Sequence, residues 1–268
     1  MLILLSTVVA QGQIRIGGNV YGGGNHAEVQ GSTKVTVKAG DIGAVMDPNA
    51  SRPVDDPHGK VFGGARMANV GGNAFVHIDG ENATGYILIN QVYGGNDIAG
   101  QIGTGTVPTE LTAVKAADDP DPKKNVVDNS FNSFVRISTK ALSTTYTQDE
   151  IDAAANDPEA AAYGKQTTDV KPDPTAKKVY IGQLFAGGNG DFDYEQTPAG
   201  DNKVTHTIYN RWDKNHTTPL AQVTTDAGEV GFQLPEQDKT YLEILGGSIV
   251  YGYGGGNNAT VKKQNITT

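Results

Sequence analysis

The stretch GGNGDFDYE, residues 187–195, sets Asn189, Asp191, Asp193 and Glu195 at every second position. Extended backbone would carry their side-chain oxygens to one face. Ca²⁺ takes six to eight oxygens of this kind, so the four residues are candidate metal ligands and Ca²⁺ the candidate ion. The spacing completes neither a calcium-binding nonapeptide repeat, where Phe192 stands in place of an Asp, nor an EF-hand loop, which needs a glycine six positions into the loop. A second group lies in IYNRWDKNHTT: Tyr209, Arg211 and Trp212, the last being the only tryptophan. Aromatic residues with arginine are enriched at recognition patches, so these three are candidate binding residues. The competing reading is a small satellite core under a loop.

Catalysis needs more than this. Asp97, Asp191, Asp193 and Arg66 each follow a glycine-rich turn, and in-register turns would gather them. Glycosidases use such carboxylate pairs. The matched turn position, however, reads Asn25, Arg66 and Asn96, so no acidic pair recurs. The histidines form no H-E-x-x-H and no triad pattern. No catalytic residue is assigned. A phosphate cradle is also disfavoured: the glycines lead into strands, and no helix N-terminus follows them.

The elements that would position these residues come from a repeat. NVYGGGN (19–25) has relatives in KVFGGA (60–65), QVYGGN (91–96), QLFAGGN (183–189) and SIVYGYGGGN (248–257). Between them, stretches such as Val35 with Val37, and Val135 with Ile137, alternate with period two, the mark of half-buried strands. Short strands separated by glycine turns bury an apolar face only by stacking. The expectation is an all-β fold, a right-handed parallel β-helix (β-solenoid) of about four to five coils over residues 13–268. The turns start at Val20, Val61, Val92, Leu184 and Val250, at unequal intervals. Polar insertions therefore fall near 45–59, 104–130, 141–177 and 192–240. The third carries Thr147 and Glu150 at capping-box spacing, predicting a short helix near 148–155. The fourth is strand-rich and reads as a hairpin or small flap. The asparagines after the glycines and the rings after Val or Leu (Tyr21, Phe62, Tyr93, Phe185, Tyr251) are expected to stack between coils. NNATVKKQNITT opens another unit, so further coils beyond the C-terminus are expected.

The string V-Y-G-G-G-N-x-A-x-V-x-G-x-T-x-V-x-V resembles the repeat of large secreted or surface proteins of Bacteroidetes gut bacteria. That resemblance covers about half the chain and implies a right-handed parallel β-helix and export. For activity it implies only a general cell-surface, adhesin-like role.

Bulk properties bound the partners. The 268 residues carry a net charge of -9, with no lysine or arginine run longer than a pair. No nucleic-acid partner is expected, since such binders present basic faces. There is no cysteine, which excludes disulfides and thiolate metal sites. MLILLSTVVAQGQ reads as a signal-peptide remnant, residues 1–12, cut after Gly12; a buried strand is its alternative. No later apolar run approaches the ~20 residues of a membrane helix, so no transmembrane segment is expected. The chain thus reads as a secreted or cell-surface scaffold presenting insertion loops to a glycan or protein. The alternative is a carbohydrate-active enzyme, a polysaccharide lyase or glycoside hydrolase.

Overall fold

The computed structural model describes residues 14–43, 59–83, 85–104, 132–139, 143–172, 179–262 and 266–267. The leader-like residues 1–12, and most of the stretches 45–59 and 104–130, lie outside them. In chain order the strands begin with β1 (Arg15–Ile16), β2 (Val20–Tyr21), β3 (Thr33–Val37), β4 (Gly40–Ile42), β5 (Lys60–Phe62), β6 (Ala74–Gly80) and β7 (Ile87–Tyr93). Then come β8 (Asn132–Thr139), β9 (Ser143–Thr145), the helix α1 (Gln148–Ala154), β10 (Val170–Pro172), β11 (Val179–Phe185), β12 (Asp193–Gly200), β13 (Lys203–Tyr209) and β14 (Pro219–Asp226). The last are β15 (Glu236–Gln237), β16 (Lys239–Ile244), β17 (Ser248–Tyr253), β18 (Thr260–Val261) and β19 (Ile266–Thr267).

Two larger sheets are parallel throughout. One runs β1-β4-β7-β11-β17, with β5 and then β2 joined to the second half of β7. The other runs β3-β6-β8-β16-β19. β15 and β18 add a short parallel pair. The remaining sheets are antiparallel: β9 with β10, and the meander β12-β13-β14. The expected single right-handed parallel β-helix is therefore corrected. Among the described residues the strands divide among five sheets, some parallel and some antiparallel, and they do not form one solenoid. The reason is local. Between Gly200 and Lys203, Asp201 and Asn202 both take positive φ, 45° and 58°. A two-residue connection of this kind is the type I′ hairpin, and it joins only antiparallel neighbours.

The main core lies between the two parallel sheets. Val35 and Val37 (β3), Val76 and Ile78 (β6), Val135 and Ile137 (β8) and Leu242 (β16) come from one side. Ile42 (β4), Val61 (β5), Ile87, Ile89 and Val92 (β7), and Val179, Ile181 and Leu184 (β11) come from the other. Period two sends the next residue outward, and there the rings form a column of their own. Tyr21, Phe62, Tyr93, Phe185 and Tyr253 stack with centroids 4.7–5.0 Å apart. The repeat distance of stacked strands, ~4.8 Å, sets this spacing. A second column joins Phe75, Phe134 and Tyr241. The last ring of the first column is Tyr253, not Tyr251, because Leu184 pairs with Gly252 and Phe185 with Tyr253. Val250 and Tyr251 are exposed.

Close approach explains the first glycine of the turns. A Cβ on Gly63 would lie 2.4 Å from the carbonyl oxygen of Gly94, and one on Gly94 would lie 2.2 Å from that of Ala186. The turn carbonyls also accept hydrogen bonds from the opposite sheet: Thr33 Oγ1 to Gly63 at 2.6 Å and Ser133 Oγ to Ala186 at 2.6 Å. The helix expected near 148–155 is α1, with Thr147 and Glu150 closing both halves of the capping box. Among the described residues no helix is long and apolar enough to cross a membrane.

Candidate functional site

Four residues beyond each stacked ring lies one further column: Asn25, Arg66, Asp97, Asn189 and Asn257. Backbone bridges Asp97–Asn189 and Asn189–Asn257 fix it, and the amide of Met67 bonds the carbonyl of Asn25 at its far end. Asp97 thus stands in the position that the sequence reading gave to Asn96. Asn96 is buried and ties the turn instead: its Oδ1 accepts from the Ala65 amide at 2.8 Å and its Nδ2 donates to the Ala68 carbonyl at 3.1 Å.

The side chains of the column form a directed chain. Asn257 Nδ2 donates to Asn189 Oδ1 at 3.0 Å, and Asn189 Nδ2 donates to Asp97 Oδ1 at 2.9 Å. The Tyr21 hydroxyl donates to Asp97 Oδ2 at 2.9 Å, and Asn19 Nδ2 donates to that hydroxyl at 3.3 Å. Arg66 Nη1 donates to Asn25 Oδ1 at 3.0 Å. Asp97 is 3% exposed. Burial pushes its carboxyl above the usual carboxylate range, against the pull of Lys60, the bonds from Asn189 and Tyr21, and Arg66. Burial, and then the nearby Asp97, push the Tyr21 phenol up as well.

The meander walls the other side. Ile208 is fully buried against Met67, Ile98 and Ala99, with Phe192, Leu220, Ala221 and Phe232 packed around them. The Tyr194 hydroxyl donates to the Ile98 carbonyl, so β12 is pinned to the turn just after Asp97. Between meander and column lies a cleft of about 270 Å³. Its lining includes Tyr21, Lys60, Arg66, Tyr93, Asp97, Asn189, Asp191, Arg211, Trp212 and Asn257. Trp212 is 52% exposed. Asp191 pairs with Arg211 Nη1 at 2.5 Å, and that bond raises the already high guanidinium pKa further.

The candidate residues named from sequence separate accordingly. Arg211 and Trp212 line the cleft. Tyr209 does not; its ring stacks on His216, centroids 4.2 Å apart. The satellite core under this region exists, but Ile208 and Leu220 build it rather than Trp212. Of the four candidate Ca²⁺ ligands, Asn189 and Asp191 line the cleft, whereas Asp193 and Glu195 face His216 at 3.3 and 3.6 Å. Among the described residues no group of three or more His, Asp or Glu side chains is placed to hold a metal ion. Asp97, Asp191 and Arg66 do come together, and Asp193 lies outside the lining. The sequence reading named Tyr21, Tyr93 and Asn257 as stacking residues and not as site residues, and it gave Lys60 no role. Counting four residues on from Tyr93 would have replaced Asn96 by Asp97.

No family model matches the chain, and no curated protein and no solved structure matches it either.

Proposed function

We propose that the chain is an exported, adhesin-like binding protein whose cleft takes a glycan. One observation carries this reading: a half-exposed indole, Trp212, stands at a cleft whose opposite wall is a hydrogen-bonded column of amides, carboxylate and guanidinium. Sugars present an apolar face and a rim of hydroxyls, and a ring beside fixed polar groups answers both. At about 270 Å³ the cleft sits near the lower end of the ~300–1,000 Å³ usual for small-ligand sites, a size for one or two sugar units. The leader-like residues 1–12 support export, and the resemblance to surface proteins supports the adhesin-like role.

Binding is favoured over glycan cleavage by the state of the two carboxylates. Asp97 has both oxygens engaged by Asn189 and Tyr21, and Asp191 is paired with Arg211. Glycoside cleavage asks one carboxyl to give a proton and the other to attack or activate water. The test is a glycan array with wild type and Trp212→Ala, followed by tryptophan emission titrations. Trp212 is the only tryptophan, so its emission reports the cleft directly. Saturable binding that shifts the emission and is lost in Trp212→Ala is expected. Array binding unchanged by Trp212→Ala would remove the cleft from the account, and release of shortened sugars by wild type would favour the enzyme.

A further inference from the structure

We propose that the cleft selects acidic saccharides, with Arg66 reading a uronic-acid carboxylate; this rests on the glycan reading above. The chain as a whole is acidic, with a net charge of -9. The cleft is not. Its lining holds three cations, Lys60, Arg66 and Arg211, and two carboxylates, Asp97 and Asp191. Arg211 and Asp191 satisfy each other at 2.5 Å. Asp97 lies on the floor, bonded to Asn189 and Tyr21, where Lys60 and Arg66 both act on it. An acidic ligand needs a positive charge in this lining that is not already bonded to a carboxylate.

Arg66 is the residue best placed to carry it. Its hydrogen bond goes to the neutral Asn25 amide oxygen and uses one of its five donors. It is half-buried, so a bound anion meets it with reduced competition from water. The planar fork matches a carboxylate with two parallel bonds. A sugar ring lying against Trp212, across the same cleft, would bring a ring carboxylate within the lining that Arg66 shares. A neutral hexose would leave the guanidinium without that partner.

The experiment uses the whole chain and a panel of uronic-acid oligosaccharides, each beside its methyl ester, in calorimetry and Trp212 emission titrations. Charge-assisted hydrogen bonds predict a preference for the free acid of about tenfold or more, shrinking with added salt. Arg66→Gln should abolish the preference, weakening binding of the free acids about tenfold more than binding of their esters. Arg66→Lys, which keeps charge but loses the fork, should retain part of it. Unchanged thermal unfolding in both variants shows that the fold is intact. Equal binding of acids and esters by wild type would overturn the acidic selectivity and leave the glycan reading standing. A preference that survives Arg66→Gln would overturn the role of Arg66. No binding of acid, ester or any neutral array glycan would overturn both.

Discussion

Leu184→Ala and Val250→Ala form a paired test of the register that places the cleft. Sequence similarity aligns Val250 with Val20, Val61, Val92 and Leu184. The structure puts Gly252 in that column and leaves Val250 69% exposed. Leu184 is 0% exposed and lies in the main core. Truncation to alanine removes three carbons, about 2.4 kcal/mol at ~0.8 kcal/mol per buried methylene, before any cavity contribution. Large-to-small changes of this type cost ~2–5 kcal/mol. Because Gly252 offers no side chain on one side, the site has room to collapse, and about 3 kcal/mol is expected. At ~2–4 °C per kcal/mol for a chain of this size, Tm falls by roughly 6–12 °C. Val250→Ala should stay within ~0.5 kcal/mol, as surface changes do. Thermal and guanidinium unfolding followed by circular dichroism measure both. If Val250→Ala costs as much as Leu184→Ala, the register is wrong, and the Asp97–Asn189–Asn257 column goes with it.

Gly63→Ala forces a Cβ to 2.4 Å from the Gly94 carbonyl oxygen, so it should lower stability by ~1–3 kcal/mol in chemical unfolding; Gly31→Ala, where a Cβ meets nothing within 4 Å, should be near neutral. Asp79 is 3% exposed; burial acts to raise its carboxyl, but the bonds from Asn82 together with His77 and Lys38 outweigh it and hold the pKa below the usual value. A depressed carboxyl stabilises fully above the unfolded value of about 3.9 and loses that contribution as pH falls through the folded value. Asp79→Asn should therefore cost most at neutral pH, with the gap to wild type closing as pH falls below about 4; a gap constant with pH would count against this. Thr147→Ala removes one half of the α1 capping box and should speed amide exchange in α1 by the equivalent of ~1 kcal/mol while Tm stays unchanged.

Alternation, the ring column and the helix start were legible in the sequence because each depends on near neighbours along the chain. Val61, Val92 and Leu184 fill the core and their following rings stack outside it because period two permits nothing else. The last turn misled because SIVYGYGGGN holds two tyrosine–glycine pairs, and only the count to Asn257 separates them. Strand direction was legible where residues 192–240 read as a hairpin and was hidden elsewhere for a different reason. A parallel neighbour and an antiparallel one show the same alternation, and the connection decides between them. Gly200–Lys203 closes in two residues, so β12 and β13 turn back on each other and the fold departs from a single parallel stack. The cleft needed both facts, since its column follows from the register and its opposite wall from the meander.

The polar column has a direction, and that direction bears on recognition. Each asparagine amide donates toward Asp97, from Asn257 through Asn189, while Tyr21 donates from the other side. A carboxylate accepts only, so it fixes the orientation of every donor that converges on it. Bonds in such a chain polarise one another. An amide at position 97, offering one acceptor and one donor group, would let the chain run either way. Asp97 therefore holds the floor of the cleft in one arrangement without needing to touch a ligand. The lining also holds two groups outside this chain of bonds to Asp97, the Arg66 guanidinium and the Trp212 ring. One is a cation and the other a flat apolar face, the pair on which the proposed selectivity for acidic saccharides rests.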